Sequence, residues 1–196
     1  MESLNKLSAL GFFEKYHKNK PAHTLTARQY LERNRKRIAW ADTVLEHGKE
    51  FKTPDEKLAR EIFDALHRDG KPISFKDGRP MYPEGECFMN SFEFIRATHI
   101  NFPDAKIYYV EGITVTAPKR PLLHAWTSYK DKVIDPTWHI ISHFVNYMGI
   151  EFPIDFVHQL WKEKAKKGFI RSEFFGHNWK RYYAEPVTEY LRSRKT

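Results

Sequence analysis

The order of elements between residues 87 and 135 constrains the fold of this chain more than any other feature of its sequence. One helix start, at Gly85-Glu86-Cys87-Phe88-Met89-Asn90-Ser91, precedes three segments rich in aromatic and β-branched residues, at 105–112, 122–129 and 133–135. A polar turn, Lys130-Asp131-Lys132, separates the last two segments and predicts an antiparallel hairpin. A helix followed by such strands predicts an α+β fold in which the helix packs on an antiparallel sheet.

The only cysteine of the chain, Cys87, falls in the first turn of the predicted helix. Gly85 allows a tight turn into that helix. One helical face is then formed by the apolar and small residues Phe88, Ser91, Phe92 and Ile95. Because a helix N-terminus carries partial positive charge and unpaired N–H groups, this position favours a thiolate and provides part of an oxyanion hole.

His124 and Asp135 complete a pattern that is typical of nucleophilic catalysis. They stand eleven positions apart on the two strands of the predicted hairpin, so we expect them to lie side by side. The carboxylate then holds the imidazole tautomer while the other ring nitrogen faces the thiol. Singly, each residue has a plainer explanation, since a lone cysteine is usually a small buried side chain and Asp-Pro often opens a turn. The order of helix start, strand and next strand favours the catalytic interpretation of Cys87, His124 and Asp135.

Several short motifs resemble those of a sparsely characterised group of phage and bacterial cysteine hydrolases. They are Cys-Phe-Met-Asn-Ser from Cys87, Val-Glu-Gly from Val110, His-Ala-Trp from His124, Asp-Pro-Thr from Asp135 and the stretch from Tyr147 to Pro153. The resemblance covers roughly residues 80–155 and implies a papain-like or transglutaminase-like fold with a Cys87, His124 and Asp135 triad. It does not supply a substrate.

The chain departs from the papain-type pattern at one point. Papain-type enzymes usually add a glutamine shortly before the cysteine as a side-chain oxyanion donor, whereas no glutamine lies between Gln29 and Cys87. This departure favours a transglutaminase-like or amidase-like site over a simple protease.

These observations predict a thiol-dependent hydrolase or acyltransferase that acts on an amide, ester or thioester bond of a protein or peptide through an acyl-enzyme. Hydrolysis, deamidation and acyl transfer stay open, and no cofactor is expected.

Further candidates for substrate or oxyanion contacts surround the triad: Glu86, Asn90, Glu111, Trp126 and Trp138. Asn90 either donates to the oxyanion or braces the loop. Glu111 binds substrate, orients His124 or is a structural acid, and the tryptophans wall the cleft or pack in the core.

Two parts of the chain are distinguished by composition: a basic helical lobe at residues 1–72 and a papain-like catalytic core at 73–196. We expect them to form one compact unit. One long helix is predicted from Thr26 to about Glu46, and a second from Thr53 to about Gly70. A further amphipathic helix is expected from Asp155 to about Gly168.

The net charge of +8 supports an alternative hypothesis. A non-catalytic module of the same fold would use a basic face to bind nucleic acid or an acidic protein partner. The basic run that would form this face contains Arg33, Arg35, Lys36 and Arg37. Against it, no helix-turn-helix, ribonucleoprotein or zinc signature occurs in the sequence, and basic helical faces are usually only solvated.

A metal site is not expected. His139 and His143 have a spacing of four, but their segment has no helical pattern, and a single cysteine excludes a cysteine-based zinc cluster in the monomer. The single cysteine also excludes an internal disulfide framework.

Since the sequence has no evident leader and no stretch long enough to span a bilayer, we expect a cytoplasmic protein without a membrane partner, in the host cytoplasm if a phage encodes it.

Overall fold

The computed structural model describes residues 25–51, 86–116, 120–137, 146–165, 174–176 and 179–194, and in these residues the fold is α+β. The α-helices are α1 (Ala27–Asn34), α2 (Ala41–His47), α3 (Cys87–Asn101), α4 (Ile154–Ala165) and α5 (Ala184–Ser193). A short π-helix, Trp179–Tyr183, leads into α5. The strands are β1 (Lys49–Phe51), β2 (Ile107–Thr116), β3 (Arg120–Tyr129), β4 (Lys132–Ile134) and β5 (Asn146–Phe152).

The five strands form one antiparallel sheet in the order β1-β5-β2-β3-β4. The β3–β4 connection is a two-residue turn in which Lys130 and Asp131 have φ angles of 49° and 62°. Left-handed conformations at both central residues are typical of a type I′ turn, whose twist matches that of the flanking strands. The hairpin predicted from the sequence is therefore confirmed.

Each face of the sheet carries its own cluster of buried residues. The helix-packed face meets the α-helices in the main core, through strand residues such as Tyr109, Ala125 and Ile150. The opposite face, here called the aromatic face, is built from Phe51, Val110, Trp126, Val133 and Tyr147. Because side chains alternate along a strand, His124 lies on the same face as Trp126, two positions later.

The prediction of a single helix from Thr26 to about Glu46 is wrong, because the chain forms two helices there. Helix α1 ends at Asn34, whose side-chain Nδ2 donates to the carbonyl oxygen of Tyr30 at 2.9 Å. The turn that follows brings Trp40 against Phe175, with ring centroids 5.3 Å apart. Since the apolar residues of this segment do not form one helical stripe, the break lets both halves reach the core.

The first described residues are tied directly to the sheet. The backbone N–H of Ala27 donates to Oδ1 of Asn146 at 2.7 Å, and β1 pairs with β5 along its length. The predicted boundary at residue 72 and the predicted helix at 53–70 lie outside the described residues, so both stay predictions. None of the helices in the described ranges is long and apolar enough to cross a bilayer.

Candidate active site

Cys87 is the first residue of α3, as the sequence predicts. Glu86 occupies the N-cap position, and its carbonyl oxygen accepts the N–H of Asn90 at 2.8 Å to close the first turn. The side chain of Cys87 is partly buried and forms no disulfide. The helix is fixed from behind by the buried side chains of Phe94 and Ile95 in the main core. The thiol therefore stands at the positive end of an anchored helix.

His124 and Asp135 form a buried pair. Nε2 of His124 lies 2.7 Å from Oδ2 of Asp135, and each residue is about 1 % exposed. Strand β4 pairs with β3 up to Ile134, opposite Thr127, so Asp135 is the first residue beyond the paired positions. The turn and the register together place the carboxylate beside the imidazole, as the sequence predicts.

Asp135 and Cys87 favour the protonated form of His124. Burial by itself lowers the pKa of His124, but the charge and hydrogen bond of Asp135, followed by those of Cys87, raise it from 6.5 to about 10. Since Nε2 faces Asp135, we assign the influence of Cys87 on this pKa to the other ring nitrogen, Nδ1. The imidazolium form favoured here is the partner that stabilises a thiolate.

Asp135 is itself held at both oxygens. The hydroxyl of Tyr147 donates to Oδ2 at 2.9 Å, and the backbone N–H of Thr137 donates to Oδ1 at 3.0 Å. Oγ1 of Thr137 in turn accepts a hydrogen bond from Nδ2 of Asn90 at 3.0 Å. Of the two roles considered for Asn90, this contact supports bracing, because its amide joins α3 to the segment that follows Asp135.

The sequence reasoning did not assign roles to Thr137 and Tyr147. A local signal for Thr137 was present, because an aspartate side chain often accepts the N–H two residues later. No local signal exists for Tyr147, which reaches Asp135 from a strand that is not adjacent to β3 or β4.

Trp126 packs behind the imidazole. Its ring is stacked with that of His124 at a centroid distance of 6.2 Å and an angle of 21°, and meets Tyr147 edge-on at 5.0 Å. Since Trp126 is 0 % exposed, its contacts support core packing rather than a cleft wall. The other tryptophan candidate, Trp138, lies outside the described residues.

Glu111 is a second fully buried carboxylate, on the helix-packed face. Oε1 accepts the hydroxyl of Tyr109 at 2.6 Å, while Oε2 accepts the backbone N–H groups of Phe174 and Phe175 at 2.6 and 3.2 Å. These contacts support the structural role among those considered for Glu111, because they tie a distant segment to the centre of the sheet. Burial, the charge of Glu111 and a smaller effect of Cys87 raise the pKa of Tyr109 well above its usual value.

No family model matches the chain, and neither a curated protein nor a solved structure resembles it significantly. The resemblance to phage and bacterial cysteine hydrolases therefore stays a prediction, as does the papain-like or transglutaminase-like form of the α+β fold.

The basic run lies where α1 ends, with exposed side chains at Arg33, Arg35, Lys36 and Arg37. Arg35 forms an ion pair with Asp42.

The two histidines considered as metal ligands, His139 and His143, lie outside the described residues. In the ranges that the structure does describe, no three side chains of His, Cys, Asp or Glu are grouped so as to hold a metal ion.

Proposed function

We propose that this chain is a thiol-dependent hydrolase or acyltransferase that acts on an amide, ester or thioester bond of a protein or peptide. One observation carries the proposal: the cysteine at the start of α3 influences the pKa of an imidazole whose Nε2 lies 2.7 Å from a buried carboxylate. A nucleophile, a base and a group that orients the base are the three parts that this chemistry requires.

The reaction begins from the ion pair in which the thiol proton of Cys87 already resides on Nδ1 of His124. The sulfur attacks the substrate carbonyl carbon and forms a tetrahedral oxyanion. When this collapses, the bond to the amine, alcohol or thiol breaks, and His124 returns the proton to the leaving group. The resulting thioester on Cys87 is resolved by water in hydrolysis or deamidation, or by an amine in acyl transfer. Asp135 keeps the second proton of the imidazolium on Nε2 throughout.

Backbone groups are the best candidates to hold the oxyanion. The N–H of Asn90 bonds to the carbonyl of Glu86 within the helix. The first N–H groups of an α-helix have no partner within the helix itself. The side-chain amide of Asn90 is directed to Thr137. Backbone N–H groups at the start of α3 would therefore stabilise the oxyanion. A glutamine side chain before Cys87 is then not required as a donor. We place this activity in the cytoplasm, where a reactive thiol stays reduced.

Alkylation by iodoacetamide tests the proposal without a known substrate. Because the chain has one cysteine, every modified thiol is Cys87. An ordinary thiol titrates near about 8.5, so it reacts slowly at pH 6, whereas a thiolate paired with imidazolium reacts readily. We expect fast alkylation at pH 6 that falls at least about tenfold in His124→Gln.

The control is His99→Gln, near the end of α3 and more than two turns from Cys87, which should react like the wild type. Slow alkylation of the wild type at pH 6, with no difference in His124→Gln, would sink the enzyme proposal. Once a substrate is found, Cys87→Ala should abolish turnover while the circular dichroism spectrum is retained.

A non-catalytic binding module is the second candidate, and the exposed basic side chains between α1 and α2 favour it. Electrostatic binding to nucleic acid weakens steeply with salt. Replacing Arg33, Arg35 and Arg37 by glutamine should then abolish salt-sensitive retention on DNA or RNA, whereas Arg192→Gln on α5 should not. Absence of retention at low salt would exclude nucleic acid as the partner.

A further inference from the structure

We propose that Tyr147 is a positioning residue that keeps Asp135 ionised and directed at His124. The effect of Tyr147 on catalysis rests on the proposed function. The hydrogen bond between Tyr147 and Asp135 does not, because it belongs to the fold. No role for Tyr147 follows from the sequence motifs.

The geometry places two donors on one carboxylate oxygen. Oδ2 of Asp135 lies 2.7 Å from Nε2 of His124 and 2.9 Å from the hydroxyl of Tyr147. The other oxygen, Oδ1, accepts the N–H of Thr137 at 3.0 Å. Three contacts from different directions fix the plane of the carboxylate, and each favours its charged form.

Tyr147 reaches this oxygen across an intervening strand. It lies on β5, His124 lies on β3, and β2 runs between them. The residue of β2 that pairs with His124 is Gly112, which has no side chain to occupy the aromatic face at that position. At this position β2 and β5 approach so closely that an added Cβ on Gly112 would lie 2.1 Å from the carbonyl oxygen of Met148.

The ring is immobilised by its surroundings. Tyr147 is 0 % exposed and packs edge-on against Trp126 at 5.0 Å, with the His124 ring 6.4 Å away. These apolar contacts do not need the hydroxyl, whereas a buried hydroxyl needs an acceptor. Burial, the charge of Asp135 and their hydrogen bond raise the pKa of Tyr147 well above its usual value, so it remains a donor at neutral pH.

The experiment measures protonation of Asp135 directly. Carboxyl ¹³C shifts are followed from pH 7 downwards in the wild type and in Tyr147→Phe, with Asp135→Asn to assign the signal. Among the described residues, His124 from β3 and Tyr147 from β5 are titratable groups that contact this carboxyl, and Cys87 from α3 acts on His124. Loss of one donor to the charged form should raise the titration midpoint by about one pH unit, roughly a tenfold gain in proton affinity.

A matched control is Tyr109→Phe, which also removes a buried hydroxyl that donates to a carboxylate, but at Glu111. In this variant the Asp135 midpoint should not move. A merely structural role for Tyr147 predicts destabilisation in Tyr147→Phe with the midpoint unchanged, and that result would overturn the proposal.

Two further measurements keep the proposal separate from catalysis and from folding. The acid limb of Cys87 alkylation should move to higher pH with the Asp135 midpoint. If the Asp135 midpoint moves in Tyr147→Phe but the wild-type Cys87 is unreactive, the role of Tyr147 is supported and the enzyme proposal is rejected. If Cys87 is reactive but the midpoint does not move, the enzyme proposal is supported and the role of Tyr147 is rejected. If Tyr147→Phe does not fold, the Cζ shift of Tyr147 in the wild type should titrate together with Asp135. Independence of the two signals would overturn the inference.

Discussion

Asn90, one turn into α3, donates through its side-chain amide to Oγ1 of Thr137, 47 residues later in the chain, at 3.0 Å. This hydrogen bond links the helix that carries Cys87 to the segment that carries Asp135. It closes a ring of contacts that runs through His124 and back to the thiol. The relative position of nucleophile and acid therefore depends on a neutral pair outside the triad.

The strength of this link is measurable by a double-mutant cycle. Asn90→Ala, Thr137→Val and the double variant should show a coupling energy of about 0.5–1.5 kcal/mol in urea unfolding, because one partly buried neutral hydrogen bond is removed. Additive effects of the two single variants would mean that the side chains do not interact. Alkylation of Cys87 at pH 6 should slow in both single variants.

Replacement of Asp135 by asparagine reverses the proton arrangement of His124. An asparagine amide can donate to Nε2, which then becomes the acceptor, and the ring proton moves to Nδ1, where it faces Cys87. The base is lost without loss of volume, so we expect turnover to fall by about a thousandfold or more. The control Asp155→Asn changes an exposed carboxylate in the first turn of α4 and should leave the rate unchanged. Equal activity in both variants would remove Asp135 from the mechanism.

The stability of the fold should depend on alkaline pH through His124. Its pKa is raised from 6.5 to about 10 in the folded state, so its contribution is fully present below about pH 6.5 and is lost as the pH rises through about 10. The free energy of unfolding should therefore decrease across this window. Chemical denaturation at several pH values should show a smaller decrease in His124→Gln, while His158→Gln should retain it. A wild-type free energy that is flat between pH 7 and 10 would contradict the raised pKa.

Glu111 should be more important for stability than any exposed acid. Glu111→Gln replaces one acceptor oxygen by a donor in a fully buried site that holds two backbone N–H groups and the Tyr109 hydroxyl. We expect a loss of about 2–4 kcal/mol in unfolding free energy. Glu50→Gln breaks an exposed ion pair with Arg28 and should cost less than about 0.5 kcal/mol. Similar losses in the two variants would show that the Glu111 contacts add little.

A methyl group at Gly149 has no space. An added Cβ would lie 2.5 Å from the carbonyl oxygen of Glu111 and 2.8 Å from the Trp126 ring. Because a backbone atom must move, Gly149→Ala should lower the unfolding free energy by more than about 2 kcal/mol. Ile150→Val, at the next position of β5, removes one methyl group and should cost about 1 kcal/mol. A neutral Gly149→Ala would mean that β2 and β5 separate easily.

The parts of the site that local patterns determine were predictable from the sequence. The start of α3 at Cys87 follows from helical spacing after a turn-rich stretch, and the pairing of His124 with Asp135 follows from two short strands around a polar turn. The relevant signals lie within a few residues of each feature, so tertiary structure does not need to be known.

The parts that depend on distant contacts were not predictable. Tyr147 meets Asp135 from a strand whose position in the sheet is set by its pairing with β1 and β2, and the sequence reasoning did not identify that strand. Glu111 finds its partners more than sixty positions later, at Phe174 and Phe175. The end of α1 at Asn34 was missed for a related reason, because the break allows Trp40 to pack against the distant Phe175.

The length of the two-residue turn at Lys130 and Asp131 sets the register of β4, and with it the position of Asp135 in the candidate site. Strand β4 is only three residues long, so the number of residues in the turn strongly affects which face of the sheet Asp135 joins. One inserted or deleted residue would shift the register and carry the carboxylate to the opposite face, away from the imidazole, while most of the core stayed intact. Changes of length at this exposed turn therefore offer a way to disconnect acid from base in a folded protein, without altering a single residue of the triad.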